Sequence, residues 1–119
     1  MPDKGSTRVE MNPFEQSVHD QLSRRGVKLV PQYGVGNYRL DFAVLNPNKP
    51  GSFLLAIECD GRSYHSFPTA RERDRLREAA LRQRGWEFHR IWSDHWFANP
   101  EREVERALVV INAALSSTV

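Results

Sequence analysis

Apolar residues recur along this chain at two periods, and the switches between them mark out the elements. Phe14, Val18 and Leu22 follow one another at spacing four, giving one apolar face of a helix. Asn12-Pro13-Phe14-Glu15 opens that helix, with Asn12 as N-cap, Pro13 at the first helical position and Glu15 completing a capping box. Gly26 is placed to end it. Residues Met1–Met11 are polar and aperiodic and read as a disordered arm, leaving 12–119 as a single domain.

Three strands are expected next. Val27–Tyr33 is rich in β-branched and aromatic types, and Pro31 within it points to an edge position or an irregularity. Gly34-Val35-Gly36-Asn37 is a hairpin turn, because no helical pattern follows to make it a phosphate-binding loop. Tyr38–Val44 forms the second strand. The segment Asn46–Gly51 is a loop, and Phe53–Asp60, with its continuous apolar start, suits the middle of a sheet. A charged helix then covers about Ala70–Arg84, with Leu76, Ala79, Ala80 and Gln83 as its inward stripe and Gly85 as its stop. Trp86–Trp92 alternates as a fourth strand. Asn99-Pro100-Glu101 begins a last helix carrying Val104, Leu108, Ile111 and Leu115 at helical spacing. The order α-β-β-β-α-β-α implies an α/β fold with a four-stranded mixed sheet flanked by helices. The crossover helix makes strands three and four parallel.

Composition narrows the class. In 119 residues, 39% hydrophobic and 27% charged positions suffice for a core, so wholesale disorder is excluded. No apolar run approaches a membrane span, and no secretory signal pattern is present, so no membrane partner and a cytoplasmic location are expected. Cys59 is the single cysteine, which excludes an internal disulfide and a cysteine zinc cage. The net charge of +2 indicates no particular partner, but the basic residues are almost all arginine, a side chain whose planar fork suits phosphate. A GC-rich genome would give the same bias.

The chemistry lies in acids placed inside strands. Asp41 interrupts Tyr38–Val44, while Glu58 and Asp60 close the most hydrophobic strand. Alternation puts Glu58 and Asp60 on one face, and pairing of the second and third strands brings Asp41 beside Glu58 on it. Two carboxylates at contact distance repel by about 4 kcal/mol at intermediate dielectric. A hard divalent cation offsets that, and Mg²⁺ takes one or two carboxylates while keeping its waters. The plainer account of any one of these acids is a solvated strand end. Trp86, Trp92 and Trp96 read as core, not as base-stacking platforms.

Strand-borne Asp41, a loop, then Glu58-Cys59-Asp60 resembles the motif of the PD-(D/E)XK, or restriction endonuclease-like, nuclease superfamily. The longer run Ala56–Gly61 followed by Tyr64-His65, then Arg71, Asp74 and Arg77 in a helix, is similar to the branch related to very-short-patch-repair endonucleases. Gly85-Trp86 and Arg90-Ile91-Trp92-Ser93 extend the likeness, which covers about Asn12–Phe97. The element order agrees with that superfamily's αβββαβ core, here with an extra C-terminal helix.

The resemblance implies a Mg²⁺-dependent DNA endonuclease, with Mn²⁺ as a substitute and 5′-phosphate and 3′-hydroxyl products. Asp41 and Glu58 would hold the metal, with the backbone carbonyl of Cys59 as a further ligand. Asp60 stands where the superfamily motif usually has lysine; an acid there is common in the related branch, where it would assist a metal or a water. His65 would lie near the scissile phosphate as general acid or base, and Glu15 would support the metal site, as would Gln32 more weakly. Arg39, Arg62 and Arg71 are the candidate phosphate contacts. Such domains also occur behind helicase-like regions of longer chains, and a lone small nuclease cutting both strands would dimerise or nick twice. The alternative function is a catalytically silent nuclease fold used to bind DNA or dock a partner.

Overall fold

The computed structural model describes residues 11–61 and 68–117. Helix α1 (Pro13–Arg24) leads into strands β1 (Leu29–Val35), β2 (Tyr38–Leu45) and β3 (Phe53–Asp60). Helix α2 (Pro68–Gln83), strand β4 (Phe88–Trp92), a short helix α3 (Ser93–Ala98) and helix α4 (Pro100–Ser117) follow. The four strands lie in sequence order, with β1–β2 and β2–β3 antiparallel and β3–β4 parallel. This is the mixed sheet expected from the sequence, with β3 in its interior and β1, which carries Pro31, on an edge. Helix α3 was not foreseen, because the six residues Ser93–Ala98 are too few to show a period.

Local chemistry sets the helix limits. The Asn12 side chain accepts the Glu15 N–H at 2.7 Å and Glu15 accepts the Asn12 N–H at 3.1 Å, so the capping box is complete. At the far end, Gly26 adopts φ +86° and Val27 N–H returns to the Leu22 carbonyl. Gly85 (φ +97°) and Trp86 N–H to Leu81 repeat the arrangement after α2.

The helices cover both faces of the sheet. On one, Val18 and Leu22 of α1 and Val104, Ala107 and Ile111 of α4 pack with Trp96 on Phe42, Val44, Leu55, Ile57 and Ile91. Trp96 is fully buried and its indole N–H donates to Ser17 Oγ at 3.0 Å. On the other, Leu81 of α2 meets Leu40, Ala43 and Ala56, with Tyr33, Phe53 and Trp86 in tilted ring contacts beside them.

The inward stripe of α2 differs from the expected one. Leu76 is 56% exposed, and Ala79 and Gln83 are exposed too; the side facing the sheet runs Ala70, Asp74, Arg77, Leu81. Apolarity misidentified the face because the sheet beneath this helix ends in acids, so charged residues turn inward to meet them.

Strict alternation also fails beside the acids. Leu40 belongs to the same cluster as Ala43, and in β1 Val30 clusters with Tyr33, so odd and even positions share a face. The break falls at Gln32 and Asp41. Gln32 has φ +52°, alone among described non-glycine residues in the left-handed region, and the β1–β2 register skips both it and Asp41 between the Pro31–Phe42 and Tyr33–Leu40 pairs. Both strands therefore shift frame together, and the strain is concentrated beside the acid. Gln32→Gly should raise unfolding free energy by roughly 1 kcal/mol, the cost of holding an L-residue in that region. Urea denaturation checks this, and a loss of stability would mean that Gln32's side-chain contacts outweigh the strain.

Candidate metal-binding site

The frame shift opens the β2–β3 ladder where the acids lie. Regular pairing reaches Phe42–Ile57 and does not continue to Asp41 and Glu58. Carboxylates take over the backbone donors there: Glu58 Oε2 accepts Asp41 N–H at 3.2 Å, and Asp41 Oδ2 accepts Cys59 N–H at 2.9 Å. The two side chains are thus crossed over the opening, each held by the other's strand. Asp41 and Glu58 lie together, as strand pairing suggested.

Their environment favours the neutral acid. Burial, and next the charge of Asp41, push the Glu58 carboxyl up to about 7, although Arg77 acts in the opposite sense. Burial also raises Asp41 to about 6, with Glu15 and Asp60 adding to it against the Cys59 N–H. Glu58 is only 3% exposed. Paired acids whose proton affinity is raised by burial and mutual repulsion are a common mark of functional sites.

Cations from α2 and β4 surround the pair. Arg77 Nη2 lies 3.0 Å from Glu58 Oε1 and also donates to the Arg39 carbonyl, while its Nη1 stands 3.6 Å from Asp74. Arg90 pairs with Asp60 and reaches Asp74 at 3.3 Å and Glu78 at 2.7 Å. The result is a half-buried chain of alternating charge, Glu58–Arg77–Asp74–Arg90–Asp60. Arg77 thus turns toward the sheet, Asp74 and Glu78 share Arg90, and Asp60 is drawn to Arg90 beside the Asp41–Glu58 pair.

In the sequence Arg77 and Arg90 stood only among the residues that carry the resemblance, with no role of their own at the site, yet two signals point there. Residues 70, 74, 77 and 81 share a helix face. Parallel pairing of β3 and β4 sets Arg90 opposite Glu58.

The remaining candidates are distributed more widely. Glu15 is engaged in its capping box, and its charge still acts on Asp41. Cys59 packs against the α1–α4 side and burial pushes its thiol far up, so it stays protonated. The Arg39 side chain is exposed. Arg71 lines an open cleft of about 820 Å³ together with Asp74, Glu78, Arg90 and Trp92. In that cleft Arg75 is bound to Glu72, and Arg82 to Glu78. Arg62 and His65 lie outside the described residues.

Residues 14–111 match the model of the REase_MTES_1575 family, a restriction endonuclease-like group. The chain belongs to that family. Its nuclease-type domain accounts for most of the sequence, and the mixed sheet with its flanking helices is the α/β core that a restriction endonuclease-like protein requires. No curated protein matches the chain. Among the described residues no helix is long and apolar enough to cross a membrane.

The donor set of this REase_MTES_1575 member suits a hard cation. Among the described residues no three His, Cys, Asp or Glu side chains converge to enclose a metal, but Mg²⁺ characteristically uses only one or two carboxylates and retains its waters. Asp41 and Glu58 supply that pair, and Asp41 Oδ1 has no hydrogen-bond partner among the described residues.

The raised carboxylates have a consequence for stability. Between about pH 4 and pH 7 the folded chain binds more protons at Asp41 and Glu58 than the unfolded chain. Their contribution is therefore fully present below the unfolded values and is lost as pH rises through that window. Asp41→Asn retains an oxygen for the Cys59 N–H and removes one of the two charges. In chelator-treated protein it should gain stability over wild type at pH 8, on the order of 2 kcal/mol, and the gain should shrink at pH 5. Urea melts at the two pH values measure it; a pH-independent difference would contradict the assignment.

Proposed function

We propose that this protein is a metal-dependent DNA endonuclease that hydrolyses phosphodiester bonds, with Mg²⁺ as its cation and Mn²⁺ as a substitute. The observation carrying this reading is the crossed Asp41–Glu58 pair, a half-buried and a buried acid held together where a strand ladder opens, in a chain of the REase_MTES_1575 family. Asp41 and Glu58 would hold the cation, with the Cys59 carbonyl as a further ligand. When bound, such a cation polarises a phosphoryl oxygen and lowers the pKa of an attached water. Both carboxylates must be ionised to hold it, so binding releases protons and tightens as pH rises through their raised values.

The other residues act around that pair. Asp60, fixed by Arg90, keeps a negative charge beside it where related nucleases usually carry lysine. His65 serves as general acid or base at the scissile phosphate, and Arg39, Arg62 and Arg71 contact neighbouring phosphates. Glu15 adds its charge at Asp41. The longer motif through His65, Asp74 and Arg77 supports the very-short-patch-repair-like branch, with DNA as the partner and a helicase-like region as a companion in longer chains.

A second reading rests on the arginines. Arg77 on Glu58 and Arg90 on Asp60 already neutralise two of the acids, which suits a silent nuclease fold that binds DNA or a partner without cutting. Supercoiled plasmid and linear single- and double-stranded DNA, incubated with Mg²⁺ or Mn²⁺, separate the two. The nuclease should nick or cut only with metal, and Asp41→Ala and Glu58→Ala should each lose about a hundredfold or more of the rate. Retention of DNA without cleavage would establish the silent module instead.

A further inference from the structure

We infer that Arg77 is an exchangeable counter-ion: it neutralises Glu58 while no divalent cation is bound, passes to Asp74 when a cation takes Glu58, and thereby sets metal affinity. This rests on reading Asp41 and Glu58 as the metal-holding pair.

The geometry gives Arg77 two places to go. Its guanidinium spans both acids, with Nη2 at 3.0 Å from Glu58 Oε1 and Nη1 at 3.6 Å from Asp74 Oδ1. Glu58 is the closer partner, although its side chain is the more deeply buried, at 4% exposure against 18% for Asp74. A lone ionised carboxylate at that depth is unfavourable, so without a cation the arginine is held there. Asp74 is the less saturated of the two acids: its other oxygen meets Arg90 at 3.3 Å, and neither contact is as short as the Glu58 bond.

Competition follows from which oxygens are occupied. Glu58 Oε2 is engaged by the Asp41 N–H, so Arg77 holds the remaining oxygen, Oε1. A cation arriving between Asp41 and Glu58 neutralises the same carboxylate and repels the guanidinium by like charge. Arg77 is half-turned toward Asp74 already and needs only a small rotation to pair fully with it. The local balance permits the exchange, because the five acids Asp41, Glu58, Asp60, Asp74 and Glu78 face three guanidinium groups, those of Arg77, Arg90 and, at Glu78 alone, Arg82. Arg77 is thus a positioning residue, acting on the metal through Glu58.

Calorimetric titration of Mn²⁺ into the intact chain without DNA, at mildly alkaline pH, tests this apart from cleavage. Arg77→Met should bind Mn²⁺ about tenfold more tightly than wild type, Arg77→Lys should bind like wild type, and Asp74→Asn, which removes the second partner, should bind several-fold more weakly. Circular dichroism confirms that each variant is folded. A folded Arg77→Met with unchanged or weaker affinity overturns the exchange and makes Arg77 a fixed structural clamp. Should Arg77→Met fail to fold, Asp74→Asn decides: affinity equal to or above wild type overturns the proposal. No Mn²⁺ uptake by wild type would instead remove the metal reading itself, and this inference with it.

Discussion

Everything at this site depends on a ladder that stops early. Between β2 and β3 the backbone pairs in constant register from Val44–Leu55 to Phe42–Ile57, and the next donors are taken by side-chain carboxylates. A buried backbone N–H without a partner costs about 1–3 kcal/mol, so the Asp41 and Cys59 amides fix where the two acids must be. The same bonds that satisfy the backbone hold two like charges together in a place with little water. The repulsion and desolvation appear as raised proton affinity at both carboxyls.

That local arrangement reaches outward through the sheet and the helix above it. Opening the ladder requires β2 to change frame at Asp41, and β1 follows with Gln32 in a left-handed conformation on the opposing strand. Because the acids emerge on the α2 side, that helix turns Asp74 and Arg77 inward instead of Leu76. An exposed leucine and a half-buried arginine look like errors separately. Together they are one response to a charged sheet end, which an apolar helix face would leave uncompensated.

The sequence made the elements legible because their ends carry local chemistry. Asn12 and Glu15 form their cap within three residues, and Gly26 and Gly85 stop helices by adopting φ values that other residues avoid. Asp41 and Glu58 were visible because acids inside strands contradict the surrounding hydrophobicity. The inward face of α2 was not visible from apolarity, since Arg77 and Asp74 read as surface until the acids beneath them are located. The paired frame shift was hidden as well: period-two alternation assumes that a strand never changes face, and only Pro31 hinted that β1 would. Arg90 needed the parallel register, which becomes available only once β3 and β4 are known to be neighbours.

The position of positive charge separates this chain from the simpler motif that it resembles. With lysine at the strand end, cation and acid would arise from one strand, and their spacing would be fixed by the pleat. Here residue 60 is an acid, and the guanidinium nearest Glu58 comes from α2. Distance between acid and cation is then governed by how the helix packs, through Ala70 and Leu81, which are buried against the rest of the fold. Arg90 fastens the arrangement by joining Asp60 of β3 to Asp74 and Glu78 of α2. Helix, central strand and edge strand are therefore tied by one chain of charges, and a displacement of α2 would alter the electrostatics at Glu58 directly.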